Sequence, residues 1–119
     1  ISDLLKDYFD GLYFSDVGKL RSVFHPDAQY VSESEGNKLH LNMTDYFHKV
    51  AERVSPASKG ELRHDKVESI CLAGSDTAMA RVTCQIAPRA FIDFLSLIKV
   101  DGRWQIISKV FHTDVQQGD

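Results

Sequence analysis

The chain has 119 residues and a mass of 13.4 kDa, enough for one domain and too little for two. Hydrophobic residues make up 43% and charged residues 26%, which excludes a disordered chain and supports a core without metals or disulfides. A net charge of −3 gives no electrostatic case for nucleic acid. The longest apolar-rich stretch, residues 91–100, is interrupted by Asp93, Ser96 and Lys99 and is too short to span a bilayer.

The opening residues Ile1 to Asp7 carry no basic stretch and no cleavage site, so the expectation is a cytoplasmic protein without membrane contact. Leu4, Leu5, Tyr8, Phe9, Leu12 and Tyr13 fall at helical spacing and predict a first helix over 2–14, capped by Ser2. Gly11 costs such a helix about 1 kcal/mol relative to Ala and points to a close approach by another element. Ser15 or Asp16 caps a short second helix through Val17, Leu20, Val23 and Phe24, ending before Pro26. Residues 28–31 read as a short strand, residues 39–43 as an edge strand, and Thr44 opens a third helix over 45–53.

Strands are expected over 62–72, 77–86, 91–100 and 103–112, with a polar tail over 113–119. Asp101-Gly102 is the strongest hairpin signal in the chain. Helices first and antiparallel strands after them make an α+β domain spanning 1–119. If Asp101-Gly102 is a two-residue turn, Val100 opposes Arg103. Asp93 then shares a face with Trp104, Ser108 and His112. Both faces of this hairpin are largely apolar and three helices can cover only one, so a homodimer through the outer sheet face is expected. The turn over 73–76 sets Cys71 near Met79 and Cys84 near Lys66, so the two cysteines are expected to remain reduced thiols.

This order of elements resembles the cone-shaped nuclear transport factor 2-like (cystatin-like) fold, three N-terminal helices packed on a curved, mostly antiparallel sheet. The resemblance is carried by Tyr8-Phe9-Asp10-Gly11-Leu12-Tyr13, by Leu20 to Ala28 with its Phe24-His25-Pro26-Asp27 segment, and by Asp93 to Phe111 with Gly102-Arg103-Trp104-Gln105-Ile106. Within that superfamily the chain is similar to the group called lumazine-binding, near its SnoaL-like members. The resemblance implies a dimer with a pocket at the wide end of the cone. Ketosteroid isomerases, dehydratases, cyclases and non-enzymatic binding modules all share the fold, so fold alone does not choose the activity.

Asp93 is the leading candidate for chemistry. A carboxylate in an apolar pocket suits proton abstraction next to a carbonyl or donation to an oxyanion; the other reading is a buried Asp satisfied by a backbone or Tyr hydrogen bond, or one at the wet end of the sheet. His112, diagonal to Asp93 in the predicted register, either completes an acid/base couple or sits solvated at a strand end. His25 is either a donor at the pocket mouth or the partner of Asp27 in a turn. Tyr13, Tyr30, Trp104, Ser108 and Arg53 are candidate ligand contacts, the phenols as oxyanion donors and the arginine for an anion. The five histidines and two cysteines show no metal-ligand spacing, and there is no phosphate loop or nucleophile elbow. No metal or cofactor is expected. The sequence reads as a binder of a small cyclic or aromatic molecule, with a cofactor-free isomerase, dehydratase or cyclase as the alternative.

Overall fold

A computed structural model describes residues 1–115. The elements are α1 (Ser2–Phe14), α2 (Val17–Val23), β1 (Phe24–Ser32), β2 (Leu39–Leu41), α3 (Met43–Glu52), β3 (Lys66–Ala73), β4 (Thr77–Ile86), β5 (Arg89–Val100) and β6 (Arg103–Val115). Single 3-10 turns at Ser34–Gly36 and Ala57–Lys59 shape the connections around β2 and α3. The strands form one sheet in the order β2-β1-β6-β5-β4-β3, antiparallel throughout except for the parallel β1–β6 pair. This is the expected α+β cone: three helices packed on a curved, mostly antiparallel sheet.

Local chemistry accounts for most boundaries. Leu5, Tyr8, Phe9 and Leu12 give α1 its buried stripe, and Ser15 ends it in the left-handed conformation at φ 49°. Ser2 lies inside the helix rather than capping it; no side chain bonds to that end. Asp16 caps α2 by accepting from the Lys19 amide at 3.1 Å. A Cβ at Gly11 would lie 2.7 Å from Leu20 Cδ2, so the absent side chain is what lets α2 close onto α1. Asn42, not Thr44, caps α3, accepting from the Asp45 amide at 2.9 Å.

Three strand ends differ from the sequence reading by three or more residues. β1 starts four residues earlier, at Phe24, and runs through Pro26; its pairing with β6 breaks between Phe24 and Gln29, where a residue without an N–H is tolerated. β3 starts at Lys66 rather than Leu62. The intervening Arg63 instead bonds Asp10 at 2.8 Å and Asp65 at 2.6 Å, fastening the loop to α1. β6 continues to Val115, so part of the expected polar tail is strand; the rest of that tail, 116–119, lies outside the described residues.

Asp101 (φ 51°) and Gly102 (φ 77°) form the expected tight turn, with Val100 opposite Arg103 and Leu97 opposite Ile106. The register then shifts: Ser96 faces Ser108, and Ile107 is the extra residue of a β-bulge. Every side chain beyond it changes face relative to the unbulged reading. Lys109, Phe111 and Thr113 turn inward and are buried, while Val110 and His112 turn outward.

The helices cover the inner face, where Ala78, Ala80, Val82, Cys84, Leu95, Leu97 and Ile106 join Leu5, Tyr8, Leu20 and Val50 in one core. The outer face is bare. Met79 (50% exposed), Phe94 (47%) and Val110 (46%) lie on adjacent strands there. Cys71 opposes Met79 as expected, a second bulge sets Lys66 opposite Thr83 rather than Cys84, and both cysteines are free thiols, Cys71 exposed and Cys84 buried.

Candidate functional site

Three polar side chains meet inside the cone. α1 contributes Tyr8, which is fully buried; β5 contributes Asp93, also fully buried; β6 contributes Lys109, 2% exposed. The Tyr8 hydroxyl donates to Asp93 Oδ2 at 2.6 Å, and Lys109 Nζ lies 3.8 Å from the same oxygen. Asp93 Oδ1 is buried without a hydrogen-bond partner. Around the ammonium stand the rings of Tyr30 and Phe111 at 5.1 Å, Tyr8 at 5.3 Å, Phe91 at 5.7 Å and Tyr46 at 6.0 Å. Ring faces attract a cation most when water is excluded, so the aromatic shell supplies part of what hydration would.

The electrostatics follow from this packing. Burial favours a neutral Lys109 amine, but the Asp93 carboxylate and then the Tyr46 and Tyr30 phenols outweigh it and raise the affinity for the proton above the ordinary value. Lys109 is therefore an ammonium at any physiological pH. Burial, followed by the negative charge of Asp93, pushes the Tyr8 phenol well above its usual range. Burial likewise takes Tyr46 up to about 12 and Cys84 to about 12, so Cys84 is a packed thiol and not a nucleophile.

A cleft of about 500 Å³ opens above this group, between the β1–β2 edge, the end of α3 and the β4–β5 turn. Tyr30, Phe91 and Phe111 serve twice, as walls of the cleft and as part of the shell around Lys109. Asp93 and Lys109 thus lie one aromatic layer beneath the cleft. Tyr30 stacks on Tyr46 at 4.4 Å, and Arg53, just after α3, lines the same cleft. A second hollow of about 520 Å³ lies between α2 and α3, lined mainly by Phe24, Met43, Phe47 and their neighbours; the Phe24 ring separates it from Tyr8 and Tyr46, at 6.0 and 5.6 Å. Among the described residues no three His, Cys, Asp or Glu side chains are placed to hold a metal.

Of the residues singled out from sequence, Asp93, Tyr30 and Arg53 come together at this end of the cone. The bulge at Ile107 turns Ser108 and His112 away from it. His112 opposes Ile92 and bonds Asp114 at 3.0 Å on the outer face, so the expected Asp93–His112 couple does not form. Ser108 turns outward opposite Ser96. Trp104 sits at the hairpin end beside Ile1 and Leu4. His25 lies in β1, its Nδ1 accepting from the Asp27 amide at 3.0 Å, which is the local reading of that residue. The Tyr13 hydroxyl donates to the Glu61 carbonyl at 2.6 Å under the Arg63 guanidinium, away from the cleft. Lys109 and Tyr8 were missed. A lysine inside the apolar run Ile106 to Phe111 was the available signal, and without the bulge it pointed outward.

The sequence pattern described as Putative lumazine-binding matches residues 1–112. The chain belongs to that family. It is 23% identical over 108 residues to the aldolase FrzH of Cladobotryum sp., a match covering 89% of this chain and 82% of that protein. Among solved structures, a nuclear transport factor 2-like protein of unknown function from Silicibacter pomeroyi superposes with a TM-score of 0.84 at 24% identity, covering 95% of this chain and 92% of the other. A ketosteroid isomerase-like protein from Erwinia carotovora atroseptica gives 0.72 at 15% identity, covering 95% and 92%. At such identities the structural likenesses establish the nuclear transport factor 2-like fold and no activity.

Proposed function

We propose that this protein binds a small cyclic or aromatic molecule in the cleft at the open end of the cone and acts as a homodimer through the bare outer face of its sheet. The observation that carries the binding reading is the cleft itself: about 500 Å³, within the range of ligand pockets, walled by three aromatic rings with a few polar groups at its rim. The family's description, which names lumazine, a flat bicyclic heterocycle, supports the same ligand class. Exposed Met79, Phe94 and Val110 support the dimer. A thermal-shift panel of one- to three-ring compounds including lumazine tests the binding reading. Compounds that stabilise the wild type should lose their effect in Leu39→Trp, which narrows the cleft mouth. Equal stabilisation of both proteins would place binding elsewhere.

A second reading, cofactor-free acid/base catalysis, is favoured by Asp93 Oδ1, a buried carboxylate oxygen with no partner beside an ammonium. In that reading Asp93 takes a proton from carbon next to a carbonyl, the C–H electron pair moves onto the carbonyl oxygen, and Lys109 stabilises the resulting enolate. Enolate formation is a step that aldol chemistry requires, and the FrzH relative is an aldolase. Phe91 or Phe111 must swing aside to admit the substrate. Hydrogen–deuterium exchange next to the carbonyl of a cyclic ketone, followed by NMR in D2O, tests it. Wild type should exceed the buffer rate and Asp93→Asn should not; equal rates for the two proteins would remove the catalytic reading.

A further inference from the structure

We infer that the ligand of the cleft is an anion, a carboxylic acid on a cyclic or aromatic body, anchored side-on by Arg53. The inference rests on the binding reading above and narrows its ligand class. Among the described residues the cleft is lined by Lys38, Arg53, Lys59 and Arg89 with no aspartate or glutamate, on a chain whose net charge is −3. The cations that line it carry the sign opposite to the net charge of the whole molecule. Low-dielectric walls of a single sign concentrate the opposite charge.

Arg53 gives the field a specific geometry. Its Nε and Nη2 are buried and have no hydrogen-bond partner. Those two N–H groups form the edge of a guanidinium that meets both oxygens of one carboxylate. A buried donor without a partner is destabilising, and here two lie side by side on a residue that lines the cleft. Both N–H groups are covered by protein, so anchoring a ligand requires the half-buried Arg53 side chain to turn this edge into the cleft it lines. Lys59, whose Nζ lies 3.2 Å from Glu61 Oε2, is already engaged and contributes less. Tyr30, Phe91 and Phe111 would hold the ring while Arg53 holds the acid group.

Matched pairs that differ only in the acid group test this: 2-naphthoate against 2-naphthamide, and benzoate and anthracene-2-carboxylate against their amides, by calorimetry. Wild type should bind a carboxylate at least about 10-fold tighter than its amide, Arg53→Met should erase the difference, and Arg53→Lys should keep only part of it. Amide binding that is unchanged in Arg53→Met shows that the variant is folded with its cleft intact. Equal binding of acid and amide would overturn the anionic ligand and leave the binding reading standing. A carboxylate preference that survives in both variants would overturn Arg53 as the anchor. Failure of every acid and every amide to bind would overturn the binding reading and this inference with it.

Discussion

Removing the charge of Lys109 should be the most damaging conservative change in the interior. Lys109→Met keeps the length and apolar stem of the side chain and deletes only the ammonium, which lies 3.8 Å from Asp93 Oδ2. At an effective dielectric of 20 that attraction is about 4 kcal/mol. Breaking a buried pair from one side costs about 3–5 kcal/mol, because the remaining charge stays in the interior. The orphaned Asp93 retains only the Tyr8 hydroxyl. Asp93→Asn leaves the ammonium with five ring faces, each worth about 0.5–2 kcal/mol and not additive. The expected order is therefore Lys109→Met the worse by about 1–2 kcal/mol, with the double variant no worse than Lys109→Met alone. Urea unfolding of the four proteins gives the coupling energy, expected at about 2–4 kcal/mol. Coupling below about 0.5 kcal/mol, or an Asp93→Asn penalty exceeding that of Lys109→Met, would refute this reasoning.

Other expectations follow from the same packing. Gly11→Ala should destabilise by about 1–2 kcal/mol although Ala is the better helix former, because Leu20 Cδ2 would lie 2.7 Å from the new Cβ; a gain in the urea midpoint would show that α2 can move away freely. A thiol reagent should label exposed Cys71 in the native protein and buried Cys84 only on unfolding, and two fast-reacting thiols in the native protein would contradict the packing. Lys109, Tyr8 and Cys84 all bind their protons more tightly folded than unfolded. With Tyr46, also raised, their contribution to stability is full below about pH 8.5 and is lost as pH rises, first through Cys84 and then, above about pH 10, through Tyr8, Tyr46 and Lys109, by about 1.4 kcal/mol per pH unit for each group titrating only in the unfolded chain. A flat stability curve to pH 11 would contradict it. Phe94→Lys on the outer face should convert the proposed dimer to a monomer in light scattering; a wild type that is itself monomeric at 100 µM (about 1 mg/mL) would remove the dimer.

The fold was legible because its strongest signals are local. The 3.6-residue stripe of α1, the strict alternation of Ala78, Ala80, Val82 and Cys84 in β4, and the Asp101-Gly102 turn each depend on neighbours in the chain. The candidate site was only half legible because its assembly depends on one residue, Ile107, that no local pattern marks as extra. Counting without the bulge puts His112 diagonal to Asp93 on the inner face; counting with it turns His112 outward and puts Lys109 inward, opposite Leu95. Asp93 was recoverable in either register because it lies on β5, opposite the bulged strand, where it alternates with Phe91 and Leu95. The partnership of Tyr8 with Asp93 spans 85 positions, and only the closed cone brings it about.

The claim that the cleft is the ligand site is tested most directly by titrating 15N-labelled protein with 2-naphthoate and lumazine and mapping the amide shifts. Saturable shifts centred on Tyr30, Arg53, Phe91, Phe111 and Thr113, which line the cleft, are the expected result. Shifts centred instead on Phe47 and His48 in the hollow beside α2, or on the outer sheet face around Phe94, would contradict it.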